Sequence, residues 1–130
     1  MSDKVDPKEL LTRFLTSRNH YSPHNRRVKY GAFMPPADLR LSVFRVEGLS
    51  NVEIWEIGEK NVVQKSEKTL HGRAEIKTIE VTEKGLSVDP DNNPPRHASI
   101  IGWSQDKGKQ KLIAMELAAE AALELRGKSG

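Results

Sequence analysis

The pattern of apolar and polar residues divides the chain into short segments, and the first apolar segment is typical of a helix. Four apolar residues recur at helical spacing within residues 10–15. Before them, Asp6 is a favourable N-cap, Pro7 suits the first helical position, and Glu9 stands in the capping-box position. The chain is therefore predicted to begin with a short N-terminal helix.

Five later segments are predicted to be β-strands, because they are short, rich in β-branched or aromatic residues and bounded by Gly, Pro or Asx-rich turns. They are residues 28–33, 39–46, 73–81, 86–88 and 97–101. The turn at residues 82–85 ends in Gly85 and would join the third and fourth of these strands as a hairpin.

Two further segments favour helices. Ser50 and Glu53 form a capping box that predicts a short helix ending at Gly58, although the apolar spacing there also permits a strand. A broad apolar face then follows Ser104 and continues to about Leu125, which predicts a C-terminal helix lying on a sheet.

These segments predict an α+β fold: a small mixed or mainly antiparallel sheet of about four or five strands, with the N- and C-terminal helices packed on one face. A chain of 130 residues suits a single domain, 1–130, with residues 1–5 and 127–130 as frayed tails.

The composition excludes several kinds of chemistry. The chain has no cysteine, which removes disulfides, thiolate metal sites and cysteine nucleophiles. His20 and His24 have i, i+4 spacing, but Pro23 between them argues against the helix that would align them. Glycine-rich nucleotide-binding motifs are missing as well. We therefore predict no metal and no cofactor.

The hydropathy of the chain points to a cytoplasmic protein, and we expect a bacterial one. No apolar run approaches the roughly 20 residues of a membrane span. The first residues have no apolar core like that of a secretory signal. We therefore predict no membrane partner.

Positive charge is concentrated in one segment. Residues 10–37 carry five basic side chains and no acidic one, whereas the whole chain has a net charge of +3. Arginine matches phosphate oxygens and tyrosine can stack on a base, so the leading hypothesis is a non-enzymatic module that binds RNA, DNA or a phosphorylated ligand through residues 13–30. The predicted anion-binding residues are Arg18, Arg26, Arg27, Lys29, Tyr21 and Tyr30. A solvated loop would have the same composition.

A repeated tripeptide supports an enzymatic alternative. Two His-x-Ser sequences begin at His20 and His97, and the pair is similar to the motifs of two-histidine phosphoesterases, although no apolar strand follows His20. In a metal-independent phosphodiesterase or RNase-like enzyme, these histidines would act as acid and base, and Arg96 would stabilise developing charge. A second alternative is a protein–protein adaptor, or a homodimer formed through the C-terminal helix.

Overall fold

In a computed structural model that describes residues 5–64 and 67–126, the chain forms a six-stranded, fully antiparallel sheet. The strands of the chain are β1 (Leu10–Leu15), β2 (Tyr21–Ser22), β3 (Arg27–Val28), β4 (Leu41–Arg45), β5 (Gly72–Lys77), β6 (Ser87–Asp89), β7 (His97–Ile101) and β8 (Ala122–Leu125). The main sheet has the order β6-β7-β4-β1-β5-β8, and β2 pairs with β3 in a separate two-stranded ribbon.

Among the described residues, three α-helices, two 3-10 turns and one π-helical turn connect the strands. The α-helices are α1 (Asn51–Gly58), α2 (Thr78–Thr82) and α3 (Lys107–Glu120). Two 3-10 turns occupy Arg18–His20 and Tyr30–Phe33, and a π-helical turn, Glu59–Val63, continues α1. The α+β class is confirmed, but the sheet has more strands than the predicted four or five.

The sheet has an apolar cluster on each face, because neighbouring residues of a strand point to opposite sides. On one side, the α3 face, Leu11 and Leu15 of β1 pack in the same cluster as Leu117 of α3. On the other side, the α1 face, Phe14 and its neighbours pack with Ile54 of α1. The helices therefore cover both faces, whereas the sequence predicted helices on one face only.

The predicted N-terminal helix is wrong. Asp6 does accept a hydrogen bond from the backbone N–H of Lys8, at 2.8 Å, but this closes only a turn before β1. Strand β1 lies between β4 and β5 in the centre of the sheet and is covered on both sides. A strand buried on both faces is apolar without strict alternation, and its apolar residues can therefore match helical spacing.

The predicted strand at residues 73–81 ends early. Beyond Lys77 the chain turns into α2, where Thr78 N–H donates to the Glu9 carbonyl at 2.9 Å and the Glu80 carboxylate accepts from Lys77 N–H at 2.9 Å. The predicted hairpin is therefore wrong, and β6 pairs with β7 instead of β5. Two of the four β-branched residues of α2, Thr78 and Val81, are buried against the core, whereas Ile79 is 42% exposed.

Other predicted boundaries also move. The predicted strand at 28–33 is the end of β3 followed by a 3-10 turn. Helix α3 is capped by Asp106, whose side chain accepts from Lys109 N–H at 3.0 Å, and not by Ser104. The helix ends at Glu120, and the following residues form the edge strand β8 beside β5.

The predicted frayed tails, residues 1–5 and 127–130, lie outside the described residues except for Val5. Val5 is half-buried and packs against the core. Across residues 5–64 and 67–126, no helix combines the length and apolar content that crossing a bilayer requires.

Candidate active site

Both histidines of the repeated tripeptide line one pocket on the α1 face. The pocket has a volume of about 320 Å³ and lies between the sheet, the turn after β1 and the π-helical turn. Its chemically active lining consists of His20, His97, Arg13, Lys68 and Ser42. We call it the two-histidine pocket. Two imidazoles, two cations and a hydroxyl in one concave site are a combination suited to acid–base chemistry on an anion.

Strand pairing places His97. In the β4–β7 ladder His97 lies opposite Phe44, and Ser99 lies opposite Ser42. The imidazole meets the Phe44 ring edge-on, with 5.3 Å between the centroids and an interplanar angle of 80°. Because Ser42 and Phe44 are two residues apart on one strand, they share the face from which His97 projects.

A chain of hydrogen bonds runs through His97. The Nδ1 atom of His97 lies 2.7 Å from Oδ1 of Asp91, and Nε2 is hydrogen-bonded to Oγ of Ser42. An ionised carboxylate only accepts, so Nδ1 carries the proton and, in the neutral ring, Nε2 accepts from the Ser42 hydroxyl. Asp91 therefore fixes both the tautomer and the orientation of His97.

The Asp91 carboxyl is held in its ionised form. Partial desolvation, the largest single influence on its pKa, acts upwards. The hydrogen bonds from the His97 ring and from Asn93 N–H, with the charges of His97 and Arg40, outweigh it and leave the pKa of Asp91 below its ordinary value. The carboxylate is thus a stable anionic partner for the imidazole.

The turn after β1 presents His20. Ser17 caps this 3-10 turn by accepting from Asn19 N–H at 3.1 Å, and the His20 carbonyl accepts from Lys29 N–H at 2.9 Å. A side chain at Gly31 would place its Cβ only 3.2 Å from the imidazole, so glycine there allows close approach. Burial, and then the charges of Arg13 and Lys68, lower the pKa of His20. The ring is therefore neutral near pH 7.

Arg13 supplies a half-buried positive charge. Its Nε donates to the Ala32 carbonyl at 2.9 Å and its Nη1 donates to the Ser42 carbonyl at 3.0 Å. Burial lowers its pKa to about 10, which leaves the guanidinium protonated at neutral pH. Within residues 5–64 and 67–126 no carboxylate forms an ion pair with it. A half-buried cation whose side-chain hydrogen bonds go to carbonyl groups favours an anion in the adjoining pocket.

The Lys68→Gln substitution is expected to raise the pKa of His20. Lys68 is exposed and opposes protonation of the imidazole by repulsion, so its removal moves the titration midpoint upwards, towards the ordinary value of 6.5. The measurement is the pH dependence of the His20 ring signals by NMR. Lys109→Gln, on the exposed surface of α3, is the matched control and should leave the midpoint unchanged. An unchanged midpoint in Lys68→Gln would show that the charge of Lys68 does not act on His20 in the pocket.

Arg96 precedes His97 in the chain but does not line the two-histidine pocket. Its backbone has φ 72°, and its guanidinium donates to the Arg45 carbonyl at 3.3 Å. It lines a neighbouring pocket of about 450 Å³ with Glu53 and Glu56 of α1. Arg13 and Lys68 are the cations that face the histidines, and neither was among the site residues predicted from the sequence.

Three of the predicted anion-binding residues lie together in a second depression. Arg27, Lys29 and Tyr30 line a groove of about 520 Å³ that α3 closes with Met115, and His20 stands at its border. We call it the basic groove. His20 lines both the basic groove and the two-histidine pocket, so the two depressions adjoin.

The other predicted anion-binding residues lie elsewhere. Arg18 and Arg26 are exposed and line none of the four pockets described for residues 5–64 and 67–126. Tyr21 is half-buried against the core, and its ring centroid is 5.9 Å from that of His71. Tyr30 is therefore the tyrosine whose ring borders the groove.

The described part of the chain contains no set of side chains that could bind a metal ion. No group of three or more His, Cys, Asp or Glu side chains is arranged there to hold an ion. His24 is exposed and does not line the two-histidine pocket, so it does not join His20 as a ligand pair.

Comparison with known proteins identifies no relative. No family model matches this chain, and neither a curated protein nor a solved structure is detectably similar to it. The function is therefore inferred from the geometry of the pocket and the groove.

Proposed function

We propose that this protein cleaves phosphodiester bonds by acid–base catalysis with His20 and His97. The observation that carries the proposal is that both imidazoles, far apart in sequence, line one pocket with Arg13 and Lys68. Guanidinium and ammonium groups neutralise the non-bridging oxygens of a phosphodiester and the charge that grows on them in the transition state. One imidazole can then remove a proton while the other supplies one.

The environments of the two histidines support different roles for them in the proposed reaction. His20 has a lowered pKa and cationic neighbours, so it is neutral in the free protein and acts as the general base. His97 is oriented by the hydrogen bond from its Nδ1–H to the Asp91 carboxylate, which leaves Nε2 to give a proton to the leaving group, so His97 acts as the general acid. Asp91 is a positioning residue, since it acts through His97.

In the free protein, the Ser42 hydroxyl is hydrogen-bonded to Nε2 of His97. In the proposed reaction an oxygen of the substrate replaces the Ser42 hydroxyl as the partner of Nε2. Ser42 is then free to donate a hydrogen bond to a phosphate oxygen, which is the ordinary role of a hydroxyl in a phosphate site.

The second candidate is a non-enzymatic module that binds an anion. It is favoured by the Arg13 guanidinium, which has no carboxylate partner in the described residues, and by the exposed cations of the basic groove. Such a module would use the same pocket to hold a phosphate without cleaving it.

The proposal is tested with 2-hydroxypropyl 4-nitrophenyl phosphate. This phosphodiester carries its own hydroxyl nucleophile and has no nucleobase. In the presence of EDTA we expect release of nitrophenolate, because side chains supply the acid and the base. Protein with His20 and His97 both replaced by asparagine, purified identically, controls for contaminating nucleases. NMR titration with inorganic phosphate should shift the His20 and His97 signals. Such shifts without turnover would favour the binding module, and their absence together with no turnover would refute both.

A further inference from the structure

We infer that the substrate is single-stranded RNA and that the basic groove holds the nucleoside next to the scissile phosphate. The inference rests on the proposed function. It begins from the position of His20, which lines both depressions. A polynucleotide with a phosphodiester in the two-histidine pocket can pass His20 and place its adjoining nucleoside in the groove.

The groove has the chemistry of a nucleotide site. Arg27 and Lys29 are exposed, and no carboxylate in residues 5–64 and 67–126 forms an ion pair with either. They are available to flanking phosphates, which supply most of the affinity for nucleic acid. The groove volume of about 520 Å³ lies within the range of small-molecule sites.

Tyr30 and Met115 give the groove a surface that suits a base. Tyr30 is 40% exposed, and Lys111 Nζ lies over one face of its ring, 5.0 Å from the centroid. Met115 is 49% exposed and continues the apolar wall on α3. An aromatic ring and a flexible thioether bordered by cations match the stacking platforms that hold single-stranded bases.

The shape of the basic groove favours single-stranded RNA over double-stranded RNA. One exposed aromatic ring at a groove of this size accepts a base that is turned out of its stack, whereas a paired base presents only its edge. Asn19 and Asn25 also line the groove, and an asparagine side chain has donors and acceptors for the edge of such a base.

The acid–base pair requires a nucleophile, and RNA carries one beside each phosphate. His20 removes the proton of the ribose 2′-hydroxyl, and the 2′-oxygen forms a bond to phosphorus. The bond from phosphorus to the 5′-oxygen breaks, and that oxygen takes the proton of His97. The products are a 2′,3′-cyclic phosphate and a 5′-hydroxyl, so atoms and charge balance without a further reactant.

The first experiment compares an RNA oligonucleotide with the same oligonucleotide carrying a single 2′-deoxy nucleotide at the cleavage site. We expect the RNA to yield a 2′,3′-cyclic phosphate end, and we expect the deoxy analogue to bind but remain intact. Cleavage of both at similar rates would overturn the inference. Turnover of 2-hydroxypropyl 4-nitrophenyl phosphate without cleavage of RNA would also overturn it while leaving the proposed function intact.

The second experiment tests the groove with Tyr30→Ala. Loss of one stacked base is expected to lower kcat/KM for RNA about ten-fold more than kcat/KM for the base-free substrate. Arg27→Gln should behave similarly and should weaken the dependence of RNA affinity on salt. Lys109→Gln on the exposed surface of α3 is the charge-matched control. Equal losses on both substrates would place Tyr30 outside the substrate site and overturn the inference.

Discussion

His20→Asn and His97→Asn are each expected to lower kcat for phosphodiester cleavage by about 10²–10⁴-fold, the usual contribution of a positioned acid or base. The double variant is expected to lose little more than either single variant, because the two imidazoles serve one proton-transfer sequence and act as a unit. Binding of inorganic phosphate should persist in both, since Arg13 and Lys68 remain in the pocket. A loss confined to kcat separates a catalytic role from a structural one.

The pH profile gives an independent readout. Activity of the unsubstituted protein should rise with pH as His20 loses its proton, and the midpoint of that rise should lie below 6.5 because burial, Arg13 and Lys68 lower the pKa of His20. This acid limb should disappear in His20→Asn. The matched control is His24→Asn, which replaces an exposed histidine four residues away and should keep both rate and profile.

Ser42→Ala decides which group is the nucleophile. If the nucleophile belongs to the substrate, the variant loses only the hydrogen bond from the Ser42 hydroxyl to a phosphate oxygen, and its activity should fall by no more than about ten-fold. A loss as large as that of His97→Asn would contradict the proposed roles. It would instead indicate a serine nucleophile activated by His97 and Asp91, the arrangement of a serine hydrolase.

The sequence predicts the structure well where local chemistry decides it. The capping box of Ser50 and Glu53 marks the start of α1, because its hydrogen bonds join residues only three positions apart. Strand β7 has its predicted limits, since the Pro-rich loop before it and Gly102 after it restrict the chain on both sides. Strand β1 shows the opposite case, because only its central place in the sheet explains apolar residues on both of its faces.

The site is less accessible to sequence reasoning than the fold. The tripeptides single out His20 and His97, but their meeting depends on β7 lying beside β4 and on the turn after β1, which no spacing encodes. Arg13 belongs to the basic segment, but residues 10–15 are predicted to be a helix. That prediction gives no reason to place the Arg13 side chain against the Ser42 carbonyl. Lys68 stands in a polar loop without any local signal.

Leu117→Ala is expected to lower the free energy of unfolding by about 2–5 kcal/mol, the usual cost of a cavity at a fully buried leucine. Leu117 has 0% exposure and joins α3 to the cluster that contains Leu11 and Leu15 of β1. Urea unfolding measures the change, and an unaltered m value shows that the effect lies in the folded state. Because α3 also carries Met115, loosening the helix should weaken RNA binding at the basic groove before global unfolding.

Leu112→Ala in the same helix is the matched control for this effect. Leu112 is 64% exposed, so its truncation should change the free energy of unfolding by no more than about 0.5 kcal/mol. Similar large losses in both variants would contradict the packing of α3 described here. They would show that Leu112 is covered in solution, as it would be if α3 packed on a second copy of the chain, and sedimentation at two protein concentrations would then detect the dimer.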